Sequence, residues 1–365
     1  MVEEIITALS RIRWLFVIAR NSTVAYKGQG VDVNGVGREL GVRYVLEGSV
    51  RKAGRRVRIT AQLIDALSGA HLWADRFDGS LDDVFELQDK VASSVAGVIE
   101  PALQAAETAR SGHRPTADLT AYDLYLRGYA IFLSAARQVP QALSLMEQAI
   151  ARDPGYGPAL AWAAYCYFAL IHGNRSDDRE AHRRKGADFA RRAFEVAAED
   201  PNVLVNAAAP LAYFGEDIEA MIRLVARALT LNPSFAHGWY VSGMIKMWAG
   251  RPDDAINDIE TARYLNPRAR MGSALGVIGY SHFFARRFDK AVPNLLLTIQ
   301  EDESYAQPYR ALAACYAHMG RLDEARLTAA RLRIITPVVM PDMSYLRRSE
   351  DRELLVSGLR LAIGE

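Results

Sequence analysis

The chain has 365 residues, half of them hydrophobic and 24% charged, and its 44 Lys and Arg balance 43 Asp and Glu to a formal charge of +1. That is the composition of a soluble globular protein of two or more domains; it argues against a disordered chain and against an electrostatic binder of nucleic acid. No segment reaches the roughly 18 apolar residues of a membrane span, and the start MVEEIITALSRIRW is acidic where a secretory signal is basic, so a cytoplasmic chain is expected. The two cysteines, Cys166 and Cys315, lie far apart in apolar runs and read as buried core residues rather than a disulfide.

Ile5, Ile6 and Leu9 recur at helical spacing, which predicts a short amphipathic helix from Val2 to Arg11. Trp14 to Ala19, WLFVIA, is an apolar run of strand length and is expected to be a strand buried on both faces. After the polar loop NSTVAYKGQG comes a helix from Asp32 to Leu40, stopped by Gly41. Tyr44–Val50, Arg56–Asp65 and Ala70–Phe77 read as strands joined by turns at RKAGRR and ALSG. Val57, Ile59, Ala61 and Leu63 alternate with Arg58, Thr60 and Gln62, so one face of this sheet is covered and the other wet. A long helix from Asp83 to Arg110 completes an α/β domain over residues 1–112, and 113–120 forms a linker. The basic cluster Arg51, Lys52, Arg55, Arg56 and Arg58 lacks interleaved aromatics and reads as a solvated hairpin tip. His71, Trp73 and Asp75 are expected on one side of the third strand.

Residues 121–337 read as six two-helix units. The clearest runs from Ala236 to Pro267, where Trp239 is a large anchor, Gly243, Ala255, Ile259 and Ala262 permit close helix approach, and Pro267 ends the second helix. Pro233 stands one period earlier, and Tyr305 to Pro337 repeats the pattern with Tyr309, Leu312, Tyr316, Gly320 and Ala325. The second unit is stretched by the insert from His172 to Lys185, whose histidines, His172 and His182, are expected at the surface; the fifth is shifted near Arg268 to Gly272. The pattern resembles the tetratricopeptide repeat (TPR), of period about 34 residues, and implies an all-α solenoid, a right-handed superhelix. One hairpin cannot bury its apolar face alone, so its neighbours are required. Residues 338–365 are a capping segment, with Leu354, Leu355, Leu359 and Leu361 marking a helix from Ser349 to Ile363. The chain is therefore expected to be predominantly helical.

In a TPR superhelix the first helix of each pair lines a concave groove. By register that places Tyr165, Phe168, Asn206, Tyr213, Tyr240, Met244, Met247, Tyr280, Phe283 and Arg310 toward a protein or peptide partner. Some of these positions also suit packing between neighbouring helices.

The blocks EEIITALSR (Glu3 to Arg11), FVIARNSTVAYKG (Phe16 to Gly28), Gly37 to Gly79 and TAYDLYLRG (Thr120 to Gly128) resemble the domain that precedes TPR arrays in bacterial adenylate/guanylate cyclase-like proteins. More distantly, the domain is similar to the amino-terminal domain of the periplasmic Tol-system propeller protein and to a flagellar accessory lipoprotein domain. In that family a further strand precedes the first helix, and before it comes a class III cyclase or winged-helix domain. Here Met1 falls just before the helix, so the resemblance implies an open sheet edge near Trp14 to Ala19, available for self-association.

The chain supplies no paired metal-binding aspartates of cyclase type, no P-loop, no Gly-x-Ser-x-Gly elbow, no His-Glu-x-x-His and no zinc-spaced cysteines. The expectation is a non-enzymatic scaffold without cofactor or metal, resembling the regulatory half of adenylate cyclase-like signalling proteins. The alternatives are a piece of a longer adenylate cyclase or of a winged-helix transcription regulator, and a periplasmic location if the chain belongs to a membrane-anchored protein.

Overall fold

A computed structural model describes residues 1–23, 26, 32–80, 84–112, 120–134, 138–267 and 272–364. It separates into two compact units, residues 1–115 with 231–234, and residues 116–230 with 235–365. The linker at 113–119, most of the NSTVAYKGQG loop and the register shift at 268–271 lie outside the described residues.

The first unit holds helices α1 (Val2–Leu9), α2 (Arg20–Thr23), α3 (Val33–Leu40) and α4 (Val84–Gly112), and strands β1 (Tyr44–Ala53), β2 (Arg56–Asp65) and β3 (His71–Ser80). The strands form an antiparallel meander in the order β1-β2-β3. Its turns need backbone in the left-handed region, and Gly54 (φ 61°) and Gly69 (φ 70°) supply it. Val57, Ile59, Ala61 and Leu63 of β2 all point to one face, where they pack with Trp73, α1 and the Leu87, Val91, Val95 and Ile99 side of α4. The opposite face is wet and polar, with Ser49 against Thr60 and Arg58 paired with Asp78. Where β1 meets the end of α4, the Tyr44 hydroxyl donates to Glu107 at 2.6 Å and Arg43 reaches Asp65 at 3.1 Å. Burial works to raise the Glu107 carboxyl, but hydrogen bonds from Arg110 and Tyr44 outweigh it and hold the group below its ordinary value.

Two expectations fail here. Trp14 to Ala19 is not a strand: it runs as irregular chain, with Leu15 and Val17 half-turned into the core while Phe16 is 84% exposed. A strand needs a neighbour for its N–H and C=O groups, and among the described residues none lies beside this run, so β1 and β3 are the sheet edges. Nor do His71, Trp73 and Asp75 share a wall. Pairing slips between Leu63 and Ile64, which turns His71 to the face opposite Trp73; Trp73 and Asp75, paired with Leu63 and Ala61, share the covered face, where Trp73 is buried and Asp75 stays exposed.

The second unit is a run of helical hairpins: α5 (Ala121–Ser134) with α6 (Val139–Arg152), α7 (Gly157–His172) with α8 (Arg179–Ala197), α9 (Pro201–Phe214) with α10 (Ile218–Leu231), α11 (Ala236–Trp248) with α12 (Pro252–Leu265), α13 (Gly272–Phe284) with α14 (Phe288–Glu301), and α15 (Ala306–His318) with α16 (Leu322–Ile335). A last helix, α17 (Ser349–Ile363), packs on α15 and α16. The hairpins stay tight because Gly243 brings α11 onto α12: a Cβ there would stand 2.8 Å from the Ala255 carbonyl oxygen. The described turns within the hairpins are closed in the same way. After α11, Gly250 N–H bonds Met247 O and Arg251 N–H bonds Lys246 O; after α15, Gly320 bonds Ala317 O and Arg321 bonds Tyr316 O. The small residues facing across the hairpins, Ala142, Ala255, Ala291 and Ala325, have no exposed surface.

Candidate functional site

The first helices of the hairpins, α7, α9, α11, α13 and α15, lie side by side and bring a row of aromatic side chains to one face. Trp162, Tyr165 and Phe168 come from α7, Tyr213 from α9, Tyr240 and Trp248 from α11, and Tyr280 from α13. Five of them touch in a chain: Trp162 to Tyr165 (5.3 Å between ring centres), Tyr165 to Phe168 (5.3 Å), Phe168 to Tyr213 (5.0 Å) and Tyr213 to Trp248 (5.7 Å). The row curls until its ends meet, since Gln307 at the start of α15 donates to the His172 carbonyl at the end of α7 at 3.0 Å.

Polar groups are set into this wall. The Asn206 amide nitrogen donates to Asn202 O (2.8 Å) and Oδ1 (3.0 Å), so its own oxygen accepts, and His237 Nε2 donates to it at 2.9 Å. Trp162 Nε1 donates to the same Asn202 oxygen at 3.1 Å. His237 stacks on Trp162 and on Tyr240, and burial holds its pKa down to about 4. His172 is lowered to about 4 as well, by burial first and then by the charges of Arg310 and Arg179. It was expected at the surface with His182. Instead the insert starts beyond it, and His172 sits against Phe168, Tyr213 and Tyr345.

Between α16 and α17 the chain runs from Thr336 to Arg348 along this same face. Arg310 on α15 donates through Nη2 to Val338 O (2.6 Å) and through Nε to Val339 O (3.0 Å). Tyr345 stacks on Tyr213 at 4.9 Å, edge-on to Trp248 at 5.7 Å, with His172 on its third side. Leu346 is buried beside it. Arg347 closes the segment: its N–H bonds Trp248 O at 2.9 Å, and its guanidinium donates to Ala212 O (2.6 Å) and Glu216 O (3.0 Å). Ala212 and Trp248 stand in the last turns of α9 and α11 and Glu216 in the turn just after α9, where backbone acceptors have few helical partners and the helix dipole favours a cation. What remains open is a cavity of about 40 Å³ bordered by His172, Tyr240, Met244, Tyr280, Tyr305 and Tyr345. That is room for roughly three waters.

The ten residues expected to line a groove therefore divide. Tyr240, Met244, Met247 and Tyr280 border the cavity; Tyr213 and Arg310 hold the Thr336–Arg348 segment; Tyr165, Phe168 and Asn206 form the wall behind. Phe283 is fully buried against Phe284, Phe288 and His318, inside the hairpin stack. Sequence reasoning missed His237, Trp162, Trp248, Tyr345 and Arg347. His237 has a visible signal, three residues before Tyr240 on one helix face, but Tyr345 and Arg347 fall beyond the repeat period. Both cysteines are free and buried, and burial pushes the Cys315 thiol up to about 12. Among the described residues no cluster of three or more His, Cys, Asp and Glu could hold a metal, and no helix is long and apolar enough to cross a membrane.

Half of human IFIT1, in its dimer with PPP-AAAA, superposes on 60% of this chain with a TM-score of 0.50 at 16% identity (51% of that chain is covered). The helical unit is a solenoid of TPR-like repeats. The Cut9–Hcn1 hetero-tetramer of the APC/C gives a TM-score of 0.48 at 15% identity, over 76% of this chain and 49% of that one. In sequence, 160 residues, 44% of the chain, are 47% identical to putative adenylate cyclase 3 of Rhizobium meliloti (strain 1021), so the chain spans about a quarter (27%) of that relative's length. No protein-family model matches the sequence.

Proposed function

We propose that the chain is a non-enzymatic interaction scaffold whose TPR-like unit takes an extended peptide of a protein partner along the face of α7, α9, α11, α13 and α15. The observation that carries this reading is that the face already holds a stretch of polypeptide without helix or strand, Thr336–Arg348, through backbone carbonyls, an aromatic cage and helix ends. Such contacts suit a peptide and place no reacting groups together. The likeness to a putative adenylate cyclase supports a regulatory role beside a cyclic-nucleotide enzyme, in the cytoplasm. On a second reading, favoured by that same likeness, the chain is part of a longer adenylate cyclase whose catalytic domain lies in another segment. The exposed outer edge of β1 is offered as a site of self-association by strand addition.

Two measurements separate these readings. Purified chain given ATP or GTP with Mn²⁺ or Mg²⁺ should form no cyclic nucleotide, and turnover would overturn the scaffold reading. Peptides selected by display on the immobilised chain should lose at least tenfold in affinity on Tyr240→Ala, with the helical circular dichroism at working temperature retained; undiminished affinity would put the ligand on another surface.

A further inference from the structure

The Thr336–Arg348 segment is longer than its connection requires. The helix it leads to, α17, packs directly on α15 and α16, the helices it has just left: Gly358 lies against Ala314, and His318 meets the Leu354 carbonyl at 2.8 Å. The turn from α15 to α16 is made by Met319 to Arg321 alone, and helix-to-helix connections of about 2–8 residues are the rule. Yet this one leaves α16, passes α9 and α11 and returns. The detour leaves one group poorly served. Arg310 has no exposed surface, its two hydrogen bonds go to neutral carbonyls, and its Nη1 has no hydrogen-bond partner among the described residues. No carboxylate pairs with it among the described residues. An unneutralised guanidinium held out of water is a standing penalty, and an anion brought to it gains more than a carbonyl does.

We propose that Thr336–Arg348 is a built-in stand-in for the partner peptide, and that the partner carries the same aromatic–leucine–arginine run as Tyr345, Leu346 and Arg347. Upstream, where Val339 now meets Arg310, it presents a carboxylate. This rests on the peptide-binding reading above and adds the ligand's chemistry. The aromatic ring fills the cage of Tyr213, Trp248 and His172; the arginine caps α9 as Arg347 does; and the acidic side chain neutralises Arg310, which gives the partner its advantage over the resident segment. The resident segment holds the face shut until such a partner is present.

The test uses the full chain, a release variant carrying Tyr345→Ser with Arg347→Ala, and two fluorescein-labelled synthetic peptides read by anisotropy. One peptide has the 336–348 sequence and the other carries Val339→Glu. The release variant should keep its helical circular dichroism, and hydrogen exchange should show faster exchange confined to 338–348. Both peptides should bind the release variant at least tenfold more tightly than the unaltered chain. The glutamate peptide should be the tighter of the two by about tenfold, a difference that Arg310→Gln in the release variant abolishes. Equal binding to unaltered and released chains would overturn the stand-in. No preference for glutamate would overturn the carboxylate. No binding by a released chain that is still folded would sink the peptide-binding reading itself. A doubled mass of the unaltered chain in light scattering, with the segment exchanged between copies, would make a second copy the occupant and overturn the partner assignment.

Discussion

Lowering the pH should weaken the helical unit through His237, and the size of the effect follows from its position. The imidazole is enclosed by Trp162, Tyr165, Phe235 and Tyr240 and donates through Nε2 to Asn206, and burial holds its pKa near 4 against an ordinary 6.5. Between those values the unfolded chain binds the proton and the folded one does not, so stability rises with pH. The contribution is complete above about 6.5 and is lost as pH falls toward 4. Taking the two values, the loss between pH 7 and pH 5 is about 2 kcal/mol. His237→Gln keeps an N–H for the Asn206 oxygen and cannot be protonated. In urea unfolding followed by tryptophan fluorescence, the variant should lose about 2 kcal/mol less than the unaltered chain between pH 7 and pH 5. Equal losses would mean that the imidazole is already solvated in the folded protein, and the enclosed Trp162–Asn202–Asn206–His237 arrangement would be wrong.

Two other perturbations test the framework around the site. Gly243→Ala puts a methyl 2.8 Å from the Ala255 carbonyl oxygen and from Ile259, which forces α11 off α12; the urea midpoint should fall by the equivalent of about 1–3 kcal/mol, and an unchanged midpoint would show that the hairpin has slack there. In the sheet unit, Tyr44→Phe removes the 2.6 Å hydrogen bond to the buried Glu107. It should cost about 1–2 kcal/mol, with amide exchange accelerating at the start of β1 and the end of α4.

The reach of the sequence differs between particular residues. Gly243, Ala255 and Gly250 recur at fixed offsets because each hairpin must solve one local problem, helix approach followed by a tight turn, and only small residues or a left-handed backbone solve it. Likewise the alternation of Val57, Ile59, Ala61 and Leu63 marks the covered side of β2, since a strand's side chains change face at every residue. Trp14 to Ala19 shows the limit of that logic. An apolar run of strand length becomes a strand only if a neighbour accepts its backbone hydrogen bonds, and a run of letters does not say whether one is there. The bulge that turns His71 to the face opposite Trp73 is hidden for the same reason, because it belongs to the pairing of two strands.

At the candidate site, register brought Tyr213, Tyr240, Met244, Met247, Tyr280 and Arg310 to one face, because side chains on the first helices of successive repeats share an orientation. What occupies that face was decided in three dimensions. Tyr345 and Arg347 carry no period that ties them to Tyr213 or to the end of α9, and Arg310 lies far from Val338 and Val339 in helical register. Their meeting depends on how tightly the row of helices curls and on where the chain travels after Ile335. By itself the sequence determined the repeats, their small-residue contacts and the covered face of the sheet, since each follows from spacing within one element. The tertiary structure alone decided that the aromatic wall is closed by the protein's own segment and that Arg310 is sealed beneath it without a carboxylate among the described residues, since both depend on residues brought together from distant repeats.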